Sequence, residues 1–330
     1  MKCKLYDIII KESSGYMKKR RIKKSVIKKC LILLAIILVI TATITIKTIK
    51  YHKTDEYKLK QIGYNKEEVK TLLNEPKENI TYILNNEYNE DIIKILEQKY
   101  YINKNLERYI NYKNENKEKE LKDIIALVNT NRDKTEYEET NKTDIEKKEL
   151  MLVNKYNYLD KNYKPDDVIE ISSWYAYADN ETSKTILEEY KKMYEAAESE
   201  GLELIISSGY RDYENQEETY NEYVRDYGEE YAKKYASLPG FSEHQTGLAF
   251  DILTFGTLTN EFEKTKEFEW LKNNSYKYGF ILRYPKGKEN ITGYEYESWH
   301  YRYVGKEAAK QIHDEDITFD EYYAYYIERQ

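Results

Sequence analysis

Pro239-Gly240-Phe241-Ser242-Glu243-His244-Gln245-Thr246-Gly247-Leu248-Ala249-Phe250-Asp251 passes from a glycine-punctuated loop into a strand pattern within thirteen residues. Leu248, Phe250 and Ile252 face one way and Ala249, Asp251 and Leu253 the other, the period of two of a strand. His244 precedes Asp251 by seven residues, and Gly247 between them supplies a tight backbone that lets both side chains reach one point. Further on, Glu297-Ser298-Trp299-His300 offers a second imidazole beside another carboxylate, at the head of a second strand candidate, Trp299 to Val304. Two imidazoles and one carboxylate can hold a catalytic metal with its fourth position left for water, and Glu297 is the obvious base to take a proton from that water. The residues alone leave a hydrogen-bonded structural His–Asp pair open as well. The HExxH pattern of helical zinc sites is absent.

Around this stretch, Glu188 to Glu200 reads as an amphipathic helix stopped by Gly201, and Leu204 to Ser207 as a short buried strand. Helices and strands mixed without regular alternation point to an α+β fold rather than a parallel βαβ sheet. Residues 51–150 read as short helices. Asn65 with Glu68 resembles a capping box before Val69, Leu72 and Leu73, and apolar groups recur at Ile92–Leu96 and Ile124–Val128. Asn-, Lys- and Glu-rich segments such as Asn111 to Glu120 separate them as linkers or solvated faces.

Charge is segregated along the 330 residues. The first fifty carry thirteen Lys and Arg against Asp7 and Glu12, about +11, so the remainder carries about −18 within a total of −7. An acidic body lacks the basic footprint that nucleic acid requires. The basic run Lys18 to Lys29 is followed by the uncharged Cys30 to Ile46, CLILLAIILVITATITI, which is at the short end for a membrane span. Its flanking charges place the N-terminus in the cytoplasm and the rest outside. A cleaved signal peptide and a core helix are the competing readings. No small-x-small site follows closely, so a retained single-pass anchor is expected. The two cysteines, Cys3 and Cys30, both precede the outer portion, so any metal there must be held by histidines and carboxylates. His52 and His313 lack ligand partners at useful spacing.

The run Ser242-x-His244-x-x-Gly247-x-Ala249-x-Asp251 with Glu297-x-Trp299-His300 resembles the LAS metallopeptidases, specifically the VanY-type D-alanyl-D-alanine carboxypeptidases. Ser208-Gly209-Tyr210-Arg211 with Gln216, and Trp299 to Tyr303, agree with it. The likeness covers about residues 150–325. It implies a small antiparallel sheet flanked by helices, with Zn2+ held by His244, Asp251 and His300. It implies Glu297 as general base and later general acid, and Arg211 polarising the scissile carbonyl and stabilising the oxyanion. Gln216 and Ser242 would bind the terminal substrate residue, and Tyr284 would hold substrate and intermediate. Ser298 stands where many relatives have Pro, and Phe241 where His or Arg is frequent.

The expected organisation is a basic cytoplasmic tail (1–29), a transmembrane helix (30–49), a helical stalk or auxiliary domain (50–148) and a zinc D,D-carboxypeptidase domain (149–330). The expected partners are peptidoglycan stem peptides and the membrane; the sequence sets no oligomeric state. L,D-carboxypeptidase on tetrapeptide stems is the near alternative, followed by a D,D-dipeptidase or endopeptidase. A non-catalytic wall-binding protein is the reading from another class. Arg302 reads as a structural salt-bridge partner and Trp299 as packing. Tyr-rich surfaces could guide the wall strand, although biased codon usage accounts for tyrosine content by itself.

Overall fold

The computed structural model describes residues 23–329. Cys3 and the start of the basic run, Lys18 to Arg21, lie outside the described residues. The chain packs as two units, Met1–Tyr88 and Asn89–Gln330.

The first unit holds the helix Lys24–His52, long and apolar enough to cross a membrane, with none of its side chains buried. It extends past the apolar run at both ends. Its threonines, poor helix formers, return their hydroxyls to the helix: Thr45 Oγ1 donates to Thr41 O at 2.9 Å and Thr48 Oγ1 to Ile44 O at 3.0 Å. Three short helices follow, Asp55–Ile62, Lys66–Leu72 and Lys77–Leu84. Asn65 and Glu68 form the capping box expected from the sequence. Leu59, Val69, Leu72, Ile80 and Ile83 are the buried residues of these three helices.

The second unit is built on a four-stranded antiparallel sheet of β1 (Ile205–Ser208), β2 (Ala249–Leu253), β3 (Phe280–Tyr284) and β4 (Glu297–Tyr303), in the order β1-β2-β4-β3. The helix Lys184–Ser199, capped by Ser183, lays Ile186, Tyr190, Met193 and Ala197 against Ile206, Phe250 and Ile252. A second cluster joins Ile281 and Val304 to Ala308, Ala309 and Ile312 of the helix Lys306–Glu315, with Phe319 beyond it. Helices flank a small antiparallel sheet, the architecture the sequence led us to expect. β1, β2 and β4 fall where strands were anticipated, within a few residues. β3 was not anticipated.

The segment 89–148, read from the sequence as part of a stalk or auxiliary region, packs within this second unit. Its helices Asp91–Leu96, Leu106–Glu115 and Leu121–Asn129 bury Ile95, Tyr109, Ile124 and Val128. Tyr100 stacks on Tyr325 at 3.8 Å and hydrogen-bonds Glu315, while Arg132 Nε donates to Asn290 O at 3.0 Å.

Candidate metal centre and catalytic cavity

Strand register assembles the site. Ser208 of β1, Asp251 of β2 and His300 of β4 are successive cross-strand partners, forming one row. Two irregularities re-aim side chains at its ends, a frequent device beside active sites. On β1 the pairing passes from Ile206 to Ser208 while β2 advances one residue. Between β3 and β4, Leu282 pairs with Tyr301 and Tyr284 with Glu297, so β4 carries extra residues there. That bulge brings Glu297 to the His300 side, its Oε2 3.8 Å from His300 Nδ1, although the two stand three positions apart in the chain.

His244 enters from the one-turn helix Glu243–Thr246, which Gly247 ends in the left-handed conformation at φ 66°. A Cβ on Gly247 would also meet Pro165 at 3.1 Å, so the tight backbone inferred from the sequence is needed here. Gly209 allows a still closer approach, since a Cβ there would fall 2.1 Å from Glu181 O. Its carbonyl accepts a hydrogen bond from His244 Nδ1 at 2.7 Å. A carbonyl can only accept, so His244 Nε2 is left with its lone pair, 3.6 Å from Asp251 Oδ1. His300 presents the other nitrogen: its Nδ1 is 3.1 Å from Asp251 Oδ1, while Nε2 points at Glu243 Oε2, 3.4 Å away. One donor atom from each of His244, Asp251 and His300 lies within 4.8 Å of the others, so the three can hold a metal ion.

Glu243 is a site residue that sequence reasoning passed over. It is buried, and its Oε1 accepts from Arg283 Nε at 2.7 Å and Arg302 Nη1 at 2.9 Å. Arg283 also reaches Asp320 at 2.6 Å, and Arg302 donates to Met151 O at 2.7 Å. Arg302 is thus the structural ion-pair partner expected, and the network leaves Glu243 Oε2 facing His300. Its only signal in the sequence was adjacency to His244.

The electrostatics separate the site's groups. Burial pushes the Glu297 carboxyl up to about 8, reinforced by Asp251 and opposed by His300 and Arg211. Burial depresses His244 to about 3 against the pull of Asp251. Burial also acts to lower His300, but hydrogen bonds to Asp251 and Glu243 prevail and raise it to about 9.

These groups line a cavity of about 320 Å³ with Arg211, Gln216, Ser242 and Tyr284, so the residues that the resemblance assigned to the site lie around one cavity. Arg211 is held by two acceptors, Gln216 Oε1 at 3.0 Å and Ser208 Oγ at 2.9 Å. Gln216 spends its amide nitrogen on Ser237 O at 2.8 Å, so its groups face Arg211 and the adjoining chain. Tyr284 sets its ring 5.0 Å from that of His300. Trp299 packs against the core and also lines the cavity. Sequence reading did not anticipate Tyr223, Tyr231, Tyr235 and Tyr294 in the wall. His313 lies outside it, stacked on Tyr276, and His52, in the first unit, stacks on Tyr57.

The family described as VanY, D-alanyl-D-alanine carboxypeptidase, matches residues 179–306. The putative carboxypeptidase YodJ of Bacillus subtilis is 45% identical over 181 residues, 53% of this chain and 66% of that protein. Two enterococcal D-alanyl-D-alanine carboxypeptidases are matched over 51% and 59% of their lengths. The chain therefore spans roughly half to two thirds of these curated relatives. The bifunctional D-Ala-D-Ala dipeptidase and carboxypeptidase VanXYC of Enterococcus gallinarum is 33% identical, over 53% of this chain and 94% of its own. Among solved structures, the LdcB LD-carboxypeptidase superposes with a TM-score of 0.53 at 41% identity, covering 58% of this chain and 92% of that one. The chain belongs to the VanY-type D-alanyl-D-alanine carboxypeptidase family.

Proposed function

We propose that the protein is a zinc-dependent carboxypeptidase that removes the C-terminal D-alanine from peptidoglycan stem peptides. The observation that carries this reading is the convergence of His244, Asp251 and His300 on one point, with Glu297 beside them and Arg211 in the same cavity. Two imidazoles and one carboxylate suit Zn2+ with an open position, and the outward nitrogen of each imidazole has an acceptor of its own. When bound, zinc supplies a Lewis acid for the scissile carbonyl and acidifies water.

The chain's own residues do the rest. Glu297, poised by burial near neutrality, takes a proton on its carboxylate and returns it to the departing D-alanine amine. Arg211, fixed by Gln216 and Ser208, offers a preorganised cation to the oxygen on which charge develops. Ser242, Gln216 and Tyr284 shape the end of the cavity that takes the terminal residue. A wall-binding protein without activity would have no use for a complete set of ligands and base.

The second reading, an L,D-carboxypeptidase on tetrapeptide stems, draws support from the 41% identity to LdcB. Mass spectrometry of muropeptides after digestion separates the two. Loss of one D-alanine from pentapeptides supports the D,D reading, and the same loss from tetrapeptides supports the L,D reading. No cleavage of either would overturn both. We further propose that the Lys24–His52 helix is a retained anchor with its basic end in the cytoplasm, and that the cavity works outside the cell. In this reading residues 149–330 carry the peptidase proper and residues 50–148 are auxiliary.

A further inference from the structure

We propose that Tyr223, Tyr227, Tyr231 and Tyr235 form an aromatic wall that binds the sugar part of a glycan-linked stem peptide. The inference rests on the cavity being a stem-peptide carboxypeptidase site and adds the substrate class: peptides still attached to uncharged sugar rings.

The four tyrosines recur every fourth residue across two helices, Tyr213–Tyr227 and Glu229–Tyr235, and the spacing persists through Gly228 between them. Biased composition accounts for many tyrosines but not for this register. Their rings form a continuous row, with centroid separations of 5.9, 4.8 and 4.2 Å in chain order. Tyr223, Tyr231 and Tyr235 line the catalytic cavity with Arg211 and Gln216. Tyr227 carries the row out of it and is 63% exposed. The row is therefore continuous with the candidate site.

None of the four hydroxyls makes a hydrogen bond among the described residues; Tyr231 and Tyr235 stack on one another, so the row offers polar tips and ring edges, and the apolar ring surface left most open is that of Tyr227, 63% exposed. That combination suits a pyranose ring, which has an apolar C–H face and a rim of hydroxyls. The surrounding charges argue against an anionic polymer. Glu222, Asp226, Glu229 and Glu230 flank the row, and two of its cations are already paired, Arg225 with Asp226 and Lys233 with Glu229, both at 2.9 Å. The reach is also suitable. Four stem residues, fully extended, span roughly 13–14 Å, the scale of such a row of rings.

The test uses the full chain in detergent with two substrates, free pentapeptide and the same pentapeptide on its N-acetylglucosamine–N-acetylmuramic acid disaccharide. The wild type is expected to favour the disaccharide form in kcat/KM by about tenfold, the scale of aromatic contacts. Tyr227→Ala, outside the cavity, should erase that preference and leave free-pentapeptide hydrolysis unchanged, and Tyr227→Trp should restore it. Equal wild-type rates on the two substrates, or equal losses on both in Tyr227→Ala, would overturn the wall. If the wild type cleaves neither, the D,D reading fails, and titration with the disaccharide bearing its lactyl carboxyl as an uncharged methylamide still decides the wall. Binding weakened about tenfold by Tyr227→Ala supports it, while absent or unchanged binding refutes it.

Discussion

Asp251 and His300 are direct partners across β2 and β4, and the pairing sets Asp251 Oδ1 3.1 Å from His300 Nδ1. Two of the three candidate metal donors are thus placed by backbone hydrogen bonding, so their geometry is as rigid as the sheet. A slip of one residue in either strand would turn one of them to the opposite face. Only His244 depends on a turn, and Gly209 O holds its ring.

Asp251→Asn keeps the shape of the row and removes the carboxylate. Zinc content measured by atomic emission should fall from about one per chain toward zero after dialysis. A full zinc complement in this variant would remove Asp251 from the ligand set.

Glu243→Ala leaves Arg302 without a carboxylate partner and Arg283 with Asp320 alone, and it releases the His300 ring. It should destabilise the protein by about 3–5 kcal/mol in denaturant unfolding, as breaking buried ion pairs does. Glu243→Gln keeps an acceptor oxygen for the two guanidinium groups but turns an amide donor toward His300, so it should fold better yet bind zinc roughly 10–100-fold more weakly. Unaltered zinc affinity in Glu243→Gln would confine Glu243 to a packing role.

Three shifted groups of the site bear on the stability of the metal-free protein between about pH 6.5 and 9 and below it. Glu297 is raised from 4.5 to about 8, so across that window the folded state keeps a proton the unfolded state has lost, and stability falls as pH rises. His300, raised to about 9, contributes stability that is full below 6.5 and is lost as pH climbs through 9. His244, depressed to about 3, works oppositely: its contribution is lost as pH falls from 6.5. Thermal melts in chelator should therefore decline from about pH 6.5 to 9, and Glu297→Gln should flatten that slope. Zinc must displace the His300 proton, so its affinity should rise over the same range, with protons released in calorimetry. A melt independent of pH in that window would contradict the assignment.

Arg211→Lys keeps the charge but loses the fork that Gln216 and Ser208 hold. The rate constant kcat should drop roughly 10²–10³-fold, as when one oxyanion donor is removed, with zinc content unchanged. An equal rise in KM at constant kcat would instead make Arg211 a simple binding residue.

The sequence disclosed the parts of this site that short spacing encodes. His244, Gly247 and Asp251 sit within one turn and one strand, and Glu297 with His300 within another, so local pattern and family resemblance sufficed. Glu243 was hidden because its role depends on Arg283 and Arg302, 40 and 59 residues away. The strand β3 was obscured by Arg283, a buried charge that breaks the apolar pattern and is tolerated only through Glu243 and Asp320. The packing of residues 89–148 with the sheet unit rests on contacts such as Tyr100 with Tyr325, whose separation along the chain leaves no local signature. The Tyr223–Tyr235 row was legible as a spacing of four but went unnoticed amid so many tyrosines.

The central claim is that Glu297 moves the proton while His244, Asp251 and His300 hold the metal, and Glu297→Gln tests the division directly. Zinc content and pentapeptide hydrolysis should be measured on the same preparation. We expect about one zinc per chain and a kcat lowered roughly 10²–10⁴-fold, the range for loss of a general acid–base group. Hydrolysis near the wild-type rate, or loss of zinc together with activity, would contradict the account.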